Sequence, residues 1–270
     1  MDWYDPISLE PIYELPTKRG DGYTKRITVQ RAKEEGLLPR VTGIISAVLG
    51  DSWSLGQYKA RQNILAAEGM FREDGEADDD YIERVLEVAG ESARRSRDRG
   101  RECHFYLSDF IKTGRSPVDP AFSLLASEFM DLSKALEVDS LTTEKPLGSI
   151  ETGFAGTPDI YIECRRLEAL EGTVDDLPLW CRGPGRIVID LKTTNLHKFK
   201  KPYREHLYQF GGYGNLLNVG EGDLYLQWYA DPWTGESRWI VHPEVVRWKD
   251  AFMCLYKAWL VETGFDQPDW

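Results

Sequence analysis

The residue types best suited to chemistry converge on Arg186-Ile-Val-Ile-Asp-Leu-Lys-Thr-Thr194. Alternate side chains of a strand share a face, so Asp190 and Lys192 point one way while Ile189 and Leu191 point the other. A carboxylate beside an ammonium can hold a cation and orient a water. It can equally be a partly exposed ion pair closing a strand, which stabilises only weakly. Upstream, Gly153-Phe-Ala-Gly-Thr-Pro-Asp159-Ile-Tyr-Ile opens a second apolar strand with an acid. Glycine there lets backbone approach a ligand closely, although Asp also suits such a turn for its own sake. Neighbouring strands lie about 4.8 Å apart, so paired strands would let Asp159 and Asp190 share one hard cation at about 2.1 Å per oxygen. Further on, Gln209 and Tyr213 are spaced to share a helix face. The two glycines between them cost a helix stability, which predicts close approach of another element or a polar face packed tightly on the sheet.

These residues need a scaffold. Helical spacing runs through Val41–Leu49, Leu55–Glu68, Tyr81–Arg99 and Pro120–Val138, the last with Phe122, Leu125, Phe129, Leu132 and Leu136 on one stripe. Gly100 is expected to interrupt, with a short amphipathic segment resuming over Cys103–Ile111. Strands are expected at Gly156–Cys164 and Arg186–Lys192. Between them Arg165–Gly185, polar and punctuated by glycine and proline, reads as a surface excursion. Tyr203–Asn218 reads as a helix, Leu224–Tyr229 and Ser237–Val241 as a hairpin, and Val245–Val261 as a closing amphipathic helix. The expectation is an α/β (α+β) fold: a mixed β-sheet core over 139–270 flanked by helices, with a helical part over 1–138, together one unit.

In this order the residues resemble the RecB-like branch of the PD-(D/E)XK nuclease superfamily, which includes phage and viral exonucleases. The motifs are Gly156-Thr-Pro-Asp159, then Asp190-Leu-Lys192, then Gln209-x-x-x-Tyr213. Gly100-Arg-Glu-Cys-His104 is similar to the family's helix-borne histidine, and Leu38-Pro-Arg-Val-Thr-Gly-Ile-Ile to the opening helix of phage members. The likeness touches residues 38 to 218. It implies a restriction-endonuclease-like core and metal-dependent hydrolysis of DNA phosphodiester bonds, leaving 5′-phosphate ends. It implies that His104, Asp159, Asp190 and the Leu191 carbonyl hold Mg²⁺ or Mn²⁺, and that Lys192 positions or helps deprotonate the attacking water. Gln209 and Tyr213 would brace the site or touch the scissile strand. Glu144 stands where the family often has an acid: it holds the metal through water, or is a surface strand residue. His197, His206 and His242 are read as structural. The four cysteines lack the clustering that holds an iron–sulfur cluster in some relatives, so no cluster is expected.

With 33 basic against 45 acidic side chains, the 270-residue chain carries a net charge of −12, which taken whole argues against a nucleic-acid partner. Its distribution argues otherwise. Arg94, Arg95, Arg97, Arg99 and Arg101 precede His104, and Lys198, Lys200, Lys201 and Arg204 follow the Asp190–Lys192 strand. Beside the motifs these read as phosphate contacts, or else as solvated surface. Glu68–Glu91 holds ten acids against two arginines, a solvated face or an acidic wall that repels duplex. Trp53, Trp228, Trp233 and Tyr203 are candidates for stacking on bases.

The expected partner is DNA, as a single strand or as duplex ends, in recombination, repair or end processing, with a recombination or single-strand-binding protein as a further partner. The expected setting is the cytoplasm of a bacterial or phage-infected cell. The acidic N-terminus is unlike a signal peptide, Val41–Leu49 is too short to span a bilayer, and lone cysteines suit a reducing compartment. A structure- or sequence-specific endonuclease is the alternative enzyme, weakened by the lack of a recognisable helix-turn-helix or zinc module for reading sequence. A non-catalytic DNA-binding adaptor is the alternative outside enzymes; against it stands the joint presence of Asp159, Asp190 and Lys192.

Overall fold

Alternating apolar residues build the centre of the molecule. The computed structural model describes residues 2–17, 22–24, 26–50, 53–175 and 177–265. Five strands form a mixed sheet in the order β10–β9–β8–β7–β4: β4 (Val138–Thr143), β7 (Ile160–Cys164), β8 (Gly185–Thr193), β9 (Leu224–Ala230) and β10 (Ser237–His242). Only the β8–β9 pair is parallel. Ile160, Ile162, Ile187, Ile189, Leu191, Leu224, Leu226 and Trp228 share one face and pack on α4 (Asp78–Thr113) and α5 (Pro120–Ala135). The opposite face, with Val188 and Tyr225, packs on α2 (Val41–Leu49), α6 (Arg204–Leu216) and α7 (Val245–Thr263). Helix, sheet, helix is a stable layering because each amphipathic element buries its apolar side. Both cores draw on residues before and after 138, so the helical part and the sheet are packed as one body.

Smaller elements complete the frame. β1 (Trp3–Tyr4), β2 (Pro11–Ile12) and β3 (Leu38–Pro39) make a small antiparallel sheet, with α1 (Val29–Glu34) preceding β3 in the chain, unforeseen because each strand is two residues long. β5 (Leu147–Ser149) pairs with β6 (Phe154–Gly156). The strand expected over Gly156–Cys164 is therefore broken at Thr157-Pro158, where proline offers no N–H to a ladder. α3 (Trp53–Glu68) packs against the first half of α4; the side chain of Trp53, and with it the stacking suggested for that ring, lies outside the described residues.

Two expectations need correction. Gly100 does not interrupt: α4 runs unbroken through it for 36 residues. Its lack of a side chain serves packing instead, since a Cβ there would stand 2.6 Å from Thr193 Oγ1 at the end of β8. Arg165–Gly185 is not merely a surface excursion: Leu167, Leu170, Val174 and Cys181 are buried in the α4–α5 core. Four apolar side chains spread through a polar stretch are enough to anchor it. Cys103, Cys164 and Cys181 are buried, and desolvation pushes their thiols up to about 12, 11 and 11, which suits packing rather than reactivity. No helix among the described residues is long and apolar enough to cross a membrane.

Candidate metal centre

Strand register brings the two acids together. The β7–β8 ladder ends at Ile160 opposite Ile189, so Asp159 and Asp190, one residue beyond on each side, face each other. The Leu191 N–H donates to Asp159 Oδ2 at 2.7 Å. A strand residue turns its N–H and C=O toward the same neighbour, so the Leu191 carbonyl is directed to this edge too. The turn before Asp159 is pinned by the Tyr4 hydroxyl, 2.9 Å from Thr157 Oγ1. At the end of β4, the Glu144 N–H and the Thr143 hydroxyl both donate to the Asp159 carbonyl, at 3.0 and 2.8 Å. Glu144 itself holds φ 50°, a left-handed conformation that costs a non-glycine residue about 1–2 kcal/mol and is held by these contacts.

His104, reaching in from α4, completes the cluster. Its Nδ1 lies 3.7 Å from Asp159 Oδ1 and 3.9 Å from Glu144 Oε1. Ligand atoms of His104, Glu144 and Asp159 all fall within 4.8 Å of one another, the one group so placed among the described residues. These three could hold a metal ion. Asp190 is not in that triad: it is wholly buried, with Oδ1 accepting from Lys192 Nζ at 2.7 Å and Oδ2 without a partner. An unsatisfied buried carboxylate oxygen costs more than an ordinary lost hydrogen bond, and a cation beside it is the simplest compensation. Nitrogen with carboxylate oxygens suits a hard to borderline divalent ion, so the residues fit a metal.

Charge states follow from burial. Desolvation raises the carboxyls of Asp159 and Asp190 above the usual range, opposed by His104 and Lys192 for the first and by Lys192 for the second. Burial works against protonated His104, but Asp159 and Glu144 outweigh it and raise its pKa. Burial likewise opposes the Lys192 charge, and the two aspartates more than restore it. The balance favours the ammonium form of Lys192.

On α6, Gln209 Nε2 donates to the Tyr213 hydroxyl at 2.9 Å. Tyr213 is buried against Gly156, where a Cβ would come within 2.8 Å of its ring; burial keeps its phenol protonated. His206, read as structural, and Gln227, which the sequence reading passed over, lie here as well. His206 meets the Tyr229 hydroxyl at 3.3 Å and is pushed down to about 4 by burial and by Lys192. Gln227, the register partner of Asp190, accepts through Oε1 from His242 Nε2 at 3.0 Å. A signal existed for both: His206 shares the α6 face of Gln209, and Gln227 is the one polar side chain inside Leu224–Ala230 that cannot ring-stack.

The basic residues separate. Lys198, Lys200, Lys201 and Arg204 are exposed on the segment following β8. Arg99 is internal: its guanidinium pairs with Asp119 at 2.7 Å, donates to the Pro232 carbonyl at 2.9 Å, and lies between the rings of Phe122 and Trp233. Replacing Arg99 by Ala is expected to lower the unfolding free energy by about 2 kcal/mol in a urea titration. A loss below about 0.5 kcal/mol would return Arg99 to the surface cations. Arg94, Arg95 and Arg99 line one groove of about 480 Å³ together with Glu91, Asp98, Glu102 and Trp233. Trp228 is buried between Phe129 and Trp239 and offers no face to a base, whereas Trp233 and Tyr203 are exposed.

No protein-family model matches the chain, and no curated protein matches it.

Proposed function

We propose that this chain is a metal-dependent DNA exonuclease with a restriction-endonuclease-like core, hydrolysing phosphodiester bonds in recombination, repair or end processing. The observation that carries the reading is the placement of Asp190 and Lys192 on one face at a strand end, with Asp159 across the ladder and His104 and Glu144 beside it. His104, Glu144 and Asp159 would hold Mg²⁺ or Mn²⁺, with Asp190 Oδ2 and the Leu191 carbonyl completing the shell. Bound there, the ion supplies Lewis-acid stabilisation of charge developing on the phosphate and acidifies water. Lys192 Nζ, tethered to Asp190, donates to the phosphate or to the attacking water and holds it in line. Tyr213, fixed by Gln209, walls the site on the α6 side. Lys198, Lys200, Lys201 and Arg204 would meet phosphates beyond it.

End-labelled linear DNA should be degraded in Mg²⁺ or Mn²⁺ and spared in chelator. Nicking of closed circles with survival of linear strands would replace the exonuclease with an endonuclease. Metal affinity should also depend on pH with a defined sign. The folded pKa of His104 is raised, so its proton persists to higher pH than on a free imidazole, and a cation must displace it. Calorimetric Mn²⁺ affinity should weaken by about tenfold per pH unit below that pKa and level off above it. Replacing His104 by Gln should flatten the slope.

A further inference from the structure

We infer that Gln227 is a positioning residue of the candidate metal centre: its side-chain amide, oriented by His242, closes on Asp190 Oδ2 and holds that carboxylate toward a bound cation. The inference rests on the metal-binding reading of the site and adds to it a residue outside the ligand set. β8 and β9 run parallel with Asp190 opposite Gln227, and strands so paired lie about 4.8 Å apart. Ile189, Leu191, Leu226 and Trp228 are packed in the α4–α5 core, so alternation places Asp190 and Gln227 together on the other face of the sheet. Both are wholly buried there.

Each brings an atom without a hydrogen-bond partner, Oδ2 of Asp190 and Nε2 of Gln227. One is an acceptor lacking a donor and the other a donor lacking an acceptor. Of the buried side-chain atoms so stranded among the described residues, these are the two that share a register. Stranding complementary groups side by side costs stability twice and calls for an explanation. The orientation of the amide supplies one. Burial pushes the His242 imidazole down to about 4, so near neutral pH the ring is uncharged and carries one N–H. With that hydrogen on Nε2 it donates to Gln227 Oε1 at 3.0 Å, which leaves the Gln227 N–H groups for Asp190. Turning the amide over would set its oxygen against a carboxylate oxygen. The terminal torsion of a glutamine is soft, so the amide can swing on its His242 contact to reach Oδ2. A carboxylate oxygen has two lone-pair sites, one for the amide and one for the cation. Ligating carboxylates held by such an outer partner bind metal more tightly.

Calorimetric titration of the full chain with Mn²⁺, beside urea unfolding of the metal-free protein, tests this. Gln227→Met keeps the volume and removes the stranded donor. It should weaken Mn²⁺ binding about tenfold while leaving the urea midpoint unchanged or raised, and Gln227→Leu should do the same. His242→Phe keeps a ring against Phe210 but frees the amide; it should weaken binding by a smaller factor and add nothing in a Gln227→Met background. Unchanged Mn²⁺ affinity in both Gln227 variants, or a fall in affinity that tracks a fall in the urea midpoint, would make Gln227 a packing residue and overturn the inference with the metal centre intact. Losses from His242→Phe and Gln227→Met that add in full would overturn the orienting role of His242. A wild type that binds no Mn²⁺ would overturn the metal centre itself.

Discussion

In a Lys192→Met variant, metal-dependent DNA hydrolysis is expected to fall by roughly 10²–10⁴-fold, and the fold to weaken at the same time. Among the described residues Lys192 is the only hydrogen-bond partner of the Asp190 carboxylate, which is wholly buried with its other oxygen already unpaired. Removing one member of a buried pair costs about 3–5 kcal/mol; partial exposure of the lysine stem places the loss near the lower figure. Asp190→Asn alone should also destabilise, because it strands the ammonium. The double variant, Asp190→Asn with Lys192→Met, removes both charges and should recover much of the loss while remaining inactive. Urea titrations of the four proteins form the cycle. Additive losses would mean that the two side chains are not coupled, and near-wild-type hydrolysis by Lys192→Met would place the chemistry elsewhere. The metal-free protein should also lose stability as pH rises from about 4 through the raised aspartate pKa values. Its folded state there keeps protons that the unfolded chain has released.

Gly211→Ala should destabilise by about 1–3 kcal/mol or more, although the same change in an exposed helix would stabilise by about 1 kcal/mol. Steric conflict outweighs that helix preference. A methyl at Gly211 would fall inside van der Waals contact with the Trp248 carbonyl oxygen and 3.0 Å from Phe252 Cβ, and a carbonyl in the first turn of α7 cannot swing away as a side chain could. Relief requires α6 to move outward, carrying Gln209 and Tyr213 with it. Differential scanning calorimetry should show a lower Tm, with reduced activity following from the displaced wall of the site. A neutral or raised Tm would mean that α6 and α7 are not in backbone contact.

Much of this geometry is legible in the chain because its determinants are local. Period-two alternation places Asp190 with Lys192, and four-residue spacing places Gln209 with Tyr213. The pairing of glycines between them anticipates the contact that α7 supplies. What escapes a linear reading is set by distant neighbours. Gly100 looks like a helix breaker and is a spacer against Thr193. Arg99 looks like its four companions, and only the arrival of Asp119, Phe122 and Trp233 from elsewhere makes it internal. Asp190 looks like an equal ligand to Asp159, yet its carboxylate is wholly buried and held by Lys192, while the His104, Glu144 and Asp159 ligand atoms cluster. Gln227 and His206 acquire interest only once β9 and α6 are laid beside β8.

The unbroken α4 has an electrostatic consequence. Asp78, Asp79 and Asp80 open this helix, and His104 lies near its other end. At about 1.5 Å per residue the separation is on the order of 37 Å, more than four Debye lengths in physiological salt, where one is about 8 Å. Those carboxylates therefore cannot act as a wall against a polyanion at the metal centre; their field dies out along the rod. They contribute instead to the chain's net charge of −12, which sets how copies of the molecule repel one another in solution. The acids at one end of this helix and the candidate metal cluster near the other are electrostatically independent, so substitutions among Asp78, Asp79 and Asp80 should leave the cluster's charge states unchanged.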